Sequence, residues 1–234
     1  MKSVFRKEMR QYRTGWIGAV FLAAITALVG YYFTVGNLFA QNGEISQLFH
    51  SVLSLLMFLI PVLTMRLLAE EKKLRTDQLL FTSPLSVGQI VMGKFWAAFV
   101  IFLLGSASLV LAVVILACYG CFQPLTAAGN LLGLWLAGAA FISVGLFASA
   151  VTENQMVAAV LSYVLLLGLW LLDFLRLYVT DPFLLQVLAY LSSRTHFQEL
   201  SSGVFSLSTL VYFLSITGLM LGLTNLTLES KRYS

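Results

Sequence analysis

Long apolar runs constrain the fold of this chain more than any other feature. Six runs contain no Asp, Glu, Lys or Arg, and each has about 17 to 25 residues, the length of helix that crosses the hydrocarbon core of a bilayer. They are residues 16–35, 48–65, 95–119, 127–151, 156–172 and 207–228. Apolar residues make up 59% of the chain, well above their share in soluble domains. The sequence predicts an all-α integral membrane protein, with residues 1–234 as one transmembrane domain.

Basic residues predict the orientation of these spans. With the N-terminus inside, six spans place both termini in the cytoplasm, together with the links after the second and fourth spans. Twelve of the fourteen Lys and Arg residues then lie inside, and only Arg176 and Arg194 lie outside. By the positive-inside rule, we expect a multi-pass protein of the cell membrane, inner or plasma, with cytoplasmic termini. The basic residues flank the spans, which argues against nucleic-acid binding.

The first sixteen residues predict a separate amphipathic helix. Apolar and aromatic residues recur there at spacings of four, three and four, on one helical face: Phe5, Met9, Tyr12 and Trp16. Lys2, Arg6, Arg10 and Arg13 lie to one side of this stripe. A helix in the plane of the membrane interface explains both features. A plain basic flank would explain the charges but not the stripe.

The segment between the fifth and sixth spans predicts two short helices at the outer interface. Asp181 and Pro182 suit the N-cap and first position of one helix, and Thr195 with Gln198 suits a capping box for a second. Gly203 would end the second helix. The two helices would either cap a pathway or tie down the fifth and sixth spans.

Small residues in the fourth span permit close approach of a neighbouring helix. Gly129 and Gly133 have the four-residue spacing of this packing, and Gly138 with Ala139 adds a second pair of small residues. The neighbour is either another span of this chain or a span of a second copy.

Charge is concentrated between the second and third spans. Only 10% of the residues are charged, yet residues 66–94 hold Arg66, Glu70, Glu71, Lys72, Lys73, Arg75, Asp77 and Lys94. Such a segment cannot lie in hydrocarbon, and we expect it to be a docking element for a cytosolic partner. The alternative is a solvated loop whose leucines rest on the membrane surface.

The docking prediction assigns specific residues. Leu79, Leu80 and Phe81 would form an apolar knob of the kind that anchors an interface. The charges around it would be Glu70, Glu71, Lys72, Lys73 and Arg75. Pro84 would end this helix, and Ser86 with Gln89 would cap the third span. Glu153, in the link before the fifth span, would add a smaller contact.

Two motifs have the spacing of chemical sites but lack other features that such sites need. Gly88, Gly93 and Lys94 have the spacing of a phosphate-binding loop, but Phe95 replaces the Ser or Thr that holds magnesium, and no strand precedes them. Cys118 and Cys121 form a single C-x-x-C pair, which favours a loop disulfide or two free thiols over a metal site. We therefore expect no catalytic residue, no cofactor and no metal. Ionisable residues are absent from the middle of the spans, so energy would arrive through a partner.

The central segment resembles the link between spans two and three of ABC-2 type permeases. The matching residues are Met65, Arg66, Ala69, Glu70, Glu71, Lys72, Leu79, Leu80, Thr82, Ser83, Pro84, Ile90, Gly93, Lys94 and Phe95. Phe5 to Met9 is similar to that family's N-terminal interfacial helix. The end of the chain, from His196 to Arg232, resembles the gliding-motility and nitrous-oxide-maturation type of six-span permease. Arg75, Thr76 and Asp77 depart from the Gly and Glu that members often have there.

The resemblance implies a non-catalytic permease subunit of an ABC transporter. Two copies, as a homodimer, would associate with two cytosolic ATPase subunits that dock on residues 66–90 through a coupling helix, and would export or extract a substrate. An accessory protein on the outer side would be a further partner. Two other functions fit the residues: a membrane anchor that passes ATPase motion to an outer partner without transport, and a carrier or channel that uses no ATPase.

The predicted topology can be tested with the two cysteines. If Cys118 and Cys121 are reduced, they should react with an impermeant thiol reagent added to intact cells, because the link after the third span lies outside. Labelling that occurs only after lysis would contradict the six-span topology.

Overall fold

The computed structural model describes residues 1–75, 86–119, 123–175, 178–179, 181–204 and 206–232, which contain helices and no strand. The α-helices are α1 (Lys2–Thr14), α2 (Trp16–Phe33), α3 (Ile45–Thr64), α4 (Arg66–Lys73), α5 (Val87–Cys118), α6 (Pro124–Val151), α7 (Gln155–Leu175), α8 (Pro182–Leu191), α9 (Ser193–Ser201) and α10 (Leu207–Arg232). A π-helical segment, Thr34–Phe39, continues α2.

Six stretches within the described residues are helical, long and apolar enough to cross a membrane, which confirms the predicted all-α multi-pass fold. They are Trp16–Phe39, Ile45–Lys73, Val87–Cys118, Pro124–Val151, Gln155–Leu172 and Leu207–Ser230. The largest differences from the predicted boundaries are two extensions of eight residues: the second stretch reaches Lys73 rather than 65, and the third begins at Val87 rather than 95. Ser86 explains the early start, because its Oγ accepts from the Gln89 N–H at 3.3 Å, as its capping pattern predicts.

The second span is interrupted near the end that the basic residues assign to the cytoplasm. Pro61 has no N–H to donate within α3, which predicts a kink close to this residue. The helical pattern breaks four residues later, at Met65, and α4 follows directly. The charged residues after position 65 therefore begin on a short helix of their own.

Helix α6 occupies the centre of the bundle and packs against α3, α5, α7, α9 and α10. Its glycines make these contacts close. Gly138 lies against the ring of Phe102 on α5, and Gly129 lies against the Leu200 carbonyl on α9. The small residues of the fourth span therefore serve packing within the chain.

The outer segment forms the two predicted helices. Asp181 caps α8, because its Oδ1 accepts from the Phe183 N–H at 3.0 Å. The predicted cap of α9 is wrong by three residues: Ser192, not Thr195, is the N-cap, and its Oγ accepts from the Thr195 N–H at 3.1 Å. Gly203, with φ of +78°, follows the end of α9 as predicted.

His196 fixes α9 against the last span. Its ring is 4% exposed, stacks on Tyr212 with centroids 4.3 Å apart, and its Nδ1 is 3.2 Å from the Thr209 Oγ1. Its Nε2 is 3.1 Å from the Tyr190 carbonyl oxygen on α8. These contacts join α8, α9 and α10, so this part of the outer segment ties down the sixth span.

Substituting Gly138 tests the packing of α6. Gly138→Ala should lower stability by about 1–3 kcal/mol, because the added methyl group meets the Phe102 ring in a filled core. Gly168→Ala is the control, since nothing lies within 4 Å of its added Cβ, and it should be neutral or slightly stabilising. Thermal unfolding of the purified protein in detergent measures both. Equal effects would contradict the assigned contact.

Candidate functional site

Four charged side chains from three helices meet at the predicted cytoplasmic end of the bundle. Lys94, on α5, places its Nζ 2.6 Å from Glu8 Oε1 on α1 and 2.8 Å from Glu71 Oε2 on α4. Lys7, on α1, places its Nζ 2.7 Å from Glu71 Oε1. We call Lys7, Glu8, Glu71 and Lys94 the charge network. It contains two positive and two negative groups, so its formal charges balance.

The network is buried everywhere except at Lys7. Side-chain exposure is 0% for Lys94, 3% for Glu8 and 9% for Glu71, against 49% for Lys7. Lys94 donates hydrogen bonds to Glu8 Oε1 and to the Leu67 carbonyl, each at 2.6 Å, and forms an ion pair with Glu71 Oε2. A buried ammonium group is tolerated only when it is paired and hydrogen-bonded in this way. Lys94 therefore requires α1 and α4 to stay against α5.

The pKa of Lys7 reflects the surrounding carboxylates. Partial burial lowers it, but the hydrogen bond to Glu71 and the negative charges of Glu71, Glu8 and Glu70 outweigh this effect and raise the pKa of Lys7 above its ordinary value. Lys7 therefore stays charged at neutral pH and neutralises the outer oxygen of Glu71.

A glycine brings α1 close to α5 beside the network. A Cβ on Gly93 would lie 3.1 Å from two side-chain carbons of Val4, so only a glycine leaves Val4 its full space. Gly93 and Lys94 belong to the pattern that resembles a phosphate-binding loop. In the folded chain, Gly93 serves helix packing and Lys94 serves ion pairing.

Tyr12 and Arg66 form a second set of contacts, which holds α1 against the residues on either side of Met65. The guanidinium carbon of Arg66 lies 4.9 Å from the centroid of the Tyr12 ring, within the range of a cation–π contact. The Tyr12 hydroxyl donates to the Leu63 carbonyl at 2.9 Å. Burial raises the pKa of Tyr12 above its ordinary value, so the hydroxyl keeps the proton that it donates.

Ser149, on α6, caps α4 from a different helix. Its Oγ accepts from the N–H groups of Leu68 and Ala69, each at 2.9 Å, and donates to the Met65 carbonyl at 3.1 Å. Met65, the N-cap residue of α4, has no oxygen in its side chain to serve these groups. Lys72 Nζ donates to the Ala150 carbonyl in the last turn of α6, where a cation is favourable. Helix α4 is thus joined to the end of the fourth span.

The residues predicted to dock a partner differ in their exposure. Glu71 and Lys72 are 7% and 6% exposed and make contacts within the chain, whereas Lys73 is exposed and Glu70 is half-buried. Glu153 is exposed in the link that follows α6, a few residues beyond the carbonyl that Lys72 contacts. The predicted apolar knob and its stop, Leu79, Leu80, Phe81 and Pro84, lie outside the described residues.

The predicted interfacial stripe is not continuous in the structure. Helix α1 ends at Thr14, and Gly15 is extended, so Trp16 begins α2 and is 69% exposed. Phe5 and Met9 are half-buried against the core, and Tyr12 is buried. The covered face of α1 also holds Glu8, a charge that a stripe of apolar residues does not predict. Glycine suits this break, because a Cβ on residue 15 would lie 3.2 Å from Arg66 Nη1 and closer still to the Gln11 carbonyl.

Two sequence signals could have indicated the charge network. Lys94 is the only charged residue between Val87 and Cys118, and Glu8 is the only acid among the basic residues that precede the first span. A lone lysine at the base of a span needs a counterion, and Glu8 is one of the few candidates on the same side.

The remaining candidate ligands are separated. Among the described residues, no group of three or more His, Cys, Asp and Glu side chains could hold a metal ion. The ring of His50 contacts Phe197 edge to face at 5.0 Å, and Cys118 is exposed. Cys121 lies outside the described residues.

Comparison with known proteins gave no match: no family model matches this chain, and no curated protein does.

Removing the ammonium group of Lys94 tests the network. Lys94→Met keeps much of the side-chain volume but removes the counterion of Glu8 and leaves Glu71 with Lys7, so that two carboxylates face each other in a buried site, and it should cost about 3–5 kcal/mol of stability. Lys7→Met, the control at the exposed end, should cost about 0.2–1 kcal/mol. Denaturant unfolding in mixed micelles measures both variants. A small effect of Lys94→Met would show that the buried ion pairs do not hold α1 and α4.

Proposed function

We propose that this chain is the membrane subunit of an ABC transporter, of the ABC-2 permease type, and that a separate cytosolic ATPase drives it by docking on residues 66–90. The observation that carries the proposal is the attachment of α4 to three other helices by buried polar contacts. Glu71 joins it to α1 and α5, and Ser149 with Ala150 joins it to α6.

These attachments suit the transmission of force. A docked partner that displaces α4 also displaces the ends of the second, third and fourth spans, because the contacts between them are buried and cannot be exchanged for water at low cost. Glu71 and Lys72 then act inside the subunit by holding α4. Lys73, Glu70 and Glu153 are left for direct contact with the partner, along with the knob of Leu79, Leu80 and Phe81.

The distribution of charge supports an external energy source. Within the six stretches long enough to cross a membrane, the Asp, Glu, Lys and Arg residues lie toward the predicted cytoplasmic end: Arg66 to Lys73, Lys94 and Glu229. Asp173 follows the fifth stretch directly, at its predicted outer end. Carriers coupled to protons or ions generally hold such groups near the middle of the membrane. This distribution favours the ATPase-driven function over an independent carrier.

A complete transporter needs two such subunits. The six spans correspond to half of the assembly that the resemblance implies, and two-fold pairing is the commonest way for one chain to supply both halves. The proposed complex contains two copies of this chain and two ATPase subunits. A membrane anchor that moves an outer partner would use the same cytoplasmic contacts, so the docking experiment applies to both functions.

Substitution of the apolar knob tests the docking proposal. The double variant Leu80→Ala, Phe81→Ala should release the ATPase on co-purification or abolish permease-dependent ATP hydrolysis, because a few apolar anchors carry most of the free energy of such an interface. The control is Phe183→Ala, Leu184→Ala on α8, which removes exposed apolar groups at the opposite end of the bundle and should leave both readouts unchanged.

The same purification separates the alternatives. The mass of the complex should correspond to two copies of this chain with two ATPase subunits. Retention of the ATPase and of full hydrolysis by the knob variant would refute docking at residues 66–90. Purification of a functional carrier without any ATPase would refute the proposed class. An outer protein that co-purifies while no substrate moves would favour the mechanical anchor.

A further inference from the structure

A cavity at the predicted outer end of the bundle has an apolar wall and a polar rim. It lies between α3, α6 and α7, below the start of α9. Its apolar wall consists of Leu53, Met57, Phe141, Leu166, Leu169 and Trp170, and its polar rim consists of His50, Ser54, Ser193 and Arg194. Ser54 and Arg194 are exposed, so the cavity opens at the surface. We propose that this cavity binds a phospholipid with an anionic headgroup, its phosphate at Arg194 and His50 and part of an acyl chain against the apolar wall.

The apolar wall fits an acyl chain. Along α3, the seven steps from His50 to Met57 cover about 10 Å at 1.5 Å per residue, so the wall runs from the polar rim into the depth of the bilayer. The enclosed volume is about 40 Å³, which accommodates only part of a chain, and the rest would lie along the open side among the other lipids. A free phosphate ion would leave this wall without an apolar partner.

The polar rim fits an anion. Arg194 forms no ion pair with a described side chain, and the described side chains that line the cavity include no carboxylate. Ser193 and Arg194 are also the first two residues of α9, where backbone N–H groups lack acceptors within the helix and favour negative charge. Arginine binds phosphate through parallel hydrogen bonds.

His50 adds a second group at the same rim. Its ring is held by the edge-to-face contact with Phe197, and its nitrogens make no hydrogen bond to the described residues. The described side chains of the rim offer no carboxylate to the cationic amine of a zwitterionic headgroup, whereas Arg194 offers a positive charge to a phosphate. The rim therefore favours an anionic headgroup over a zwitterionic one.

Trp170 lines the cavity and supplies its own reporter. The full-length chain, without other proteins, is placed in phosphatidylcholine bilayers and titrated with brominated phosphatidylglycerol or with brominated phosphatidylcholine. Bromine quenches tryptophan fluorescence, and the difference in quenching between the wild type and Trp170→Phe is the contribution of Trp170. Half-maximal quenching of Trp170 should require about fivefold less of the anionic lipid, the preference expected from one basic residue near the surface.

Arg194→Gln should abolish this preference, and Arg194→Lys should keep part of it because the charge remains. Arg10→Gln, which removes an exposed charge on α1, is the matched control and should behave as the wild type. Circular dichroism checks that each variant is folded, and the comparison of the two lipids in the wild type needs no variant at Arg194.

Two results would overturn the proposal. Equal quenching by the two lipids would mean that Trp170 contacts only bulk lipid. Recovery of fluorescence on adding inorganic phosphate would mean that the rim binds a free anion. The measurement contains no ATPase, so its failure would leave the proposed docking function intact, and loss of ATPase docking would leave the lipid site intact.

Discussion

A buried lysine at the end of a membrane-spanning helix needs carboxylates in contact with it, and much of this structure follows from that requirement. Lys94 lies on the third span at no measurable exposure, and its carboxylate partners come from the N-terminal helix and from the helix that extends the second span. Buried ion pairs contribute little net stability when complete, but they are costly to separate. The network therefore specifies which helices stay together and gives the predicted cytoplasmic end of the bundle a fixed arrangement.

The fourth span completes this arrangement without any charge of its own. Ser149 supplies the hydrogen bonds that the start of α4 lacks, and the last carbonyls of α6 receive Lys72. Farther along the same helix, Gly138 and Gly129 allow α5 and α9 to approach. One helix thus contacts both the charged segment at one end and the outer helices at the other. Because one helix makes both sets of contacts, we expect motion at one end of the bundle to be transmitted to the other.

Local signals in the sequence predicted local structure well. Runs without charge identified all six spans, and short-range capping patterns identified Ser86 and Asp181, because both depend only on neighbouring residues. The start of α9 was misplaced because Ser192 and Thr195 are both suitable caps, and contacts of His196 with other helices favour the former. The pairing of Glu8 with Lys94, and the cap from Ser149, join residues about eighty positions apart, and no spacing rule reports such contacts.

The distances along the chain between these partners also set an order of assembly. Glu8 leaves the ribosome 86 residues before Lys94, and the Leu68 amide leaves it 81 residues before Ser149. Until the third span has been made, the N-terminal helix has no buried lysine to hold it. Until the fourth span is inserted, the Leu68 and Ala69 amides lack the Ser149 hydroxyl that accepts from them. The charged end of this protein is therefore closed late in biogenesis, after four of the six spans have entered the membrane.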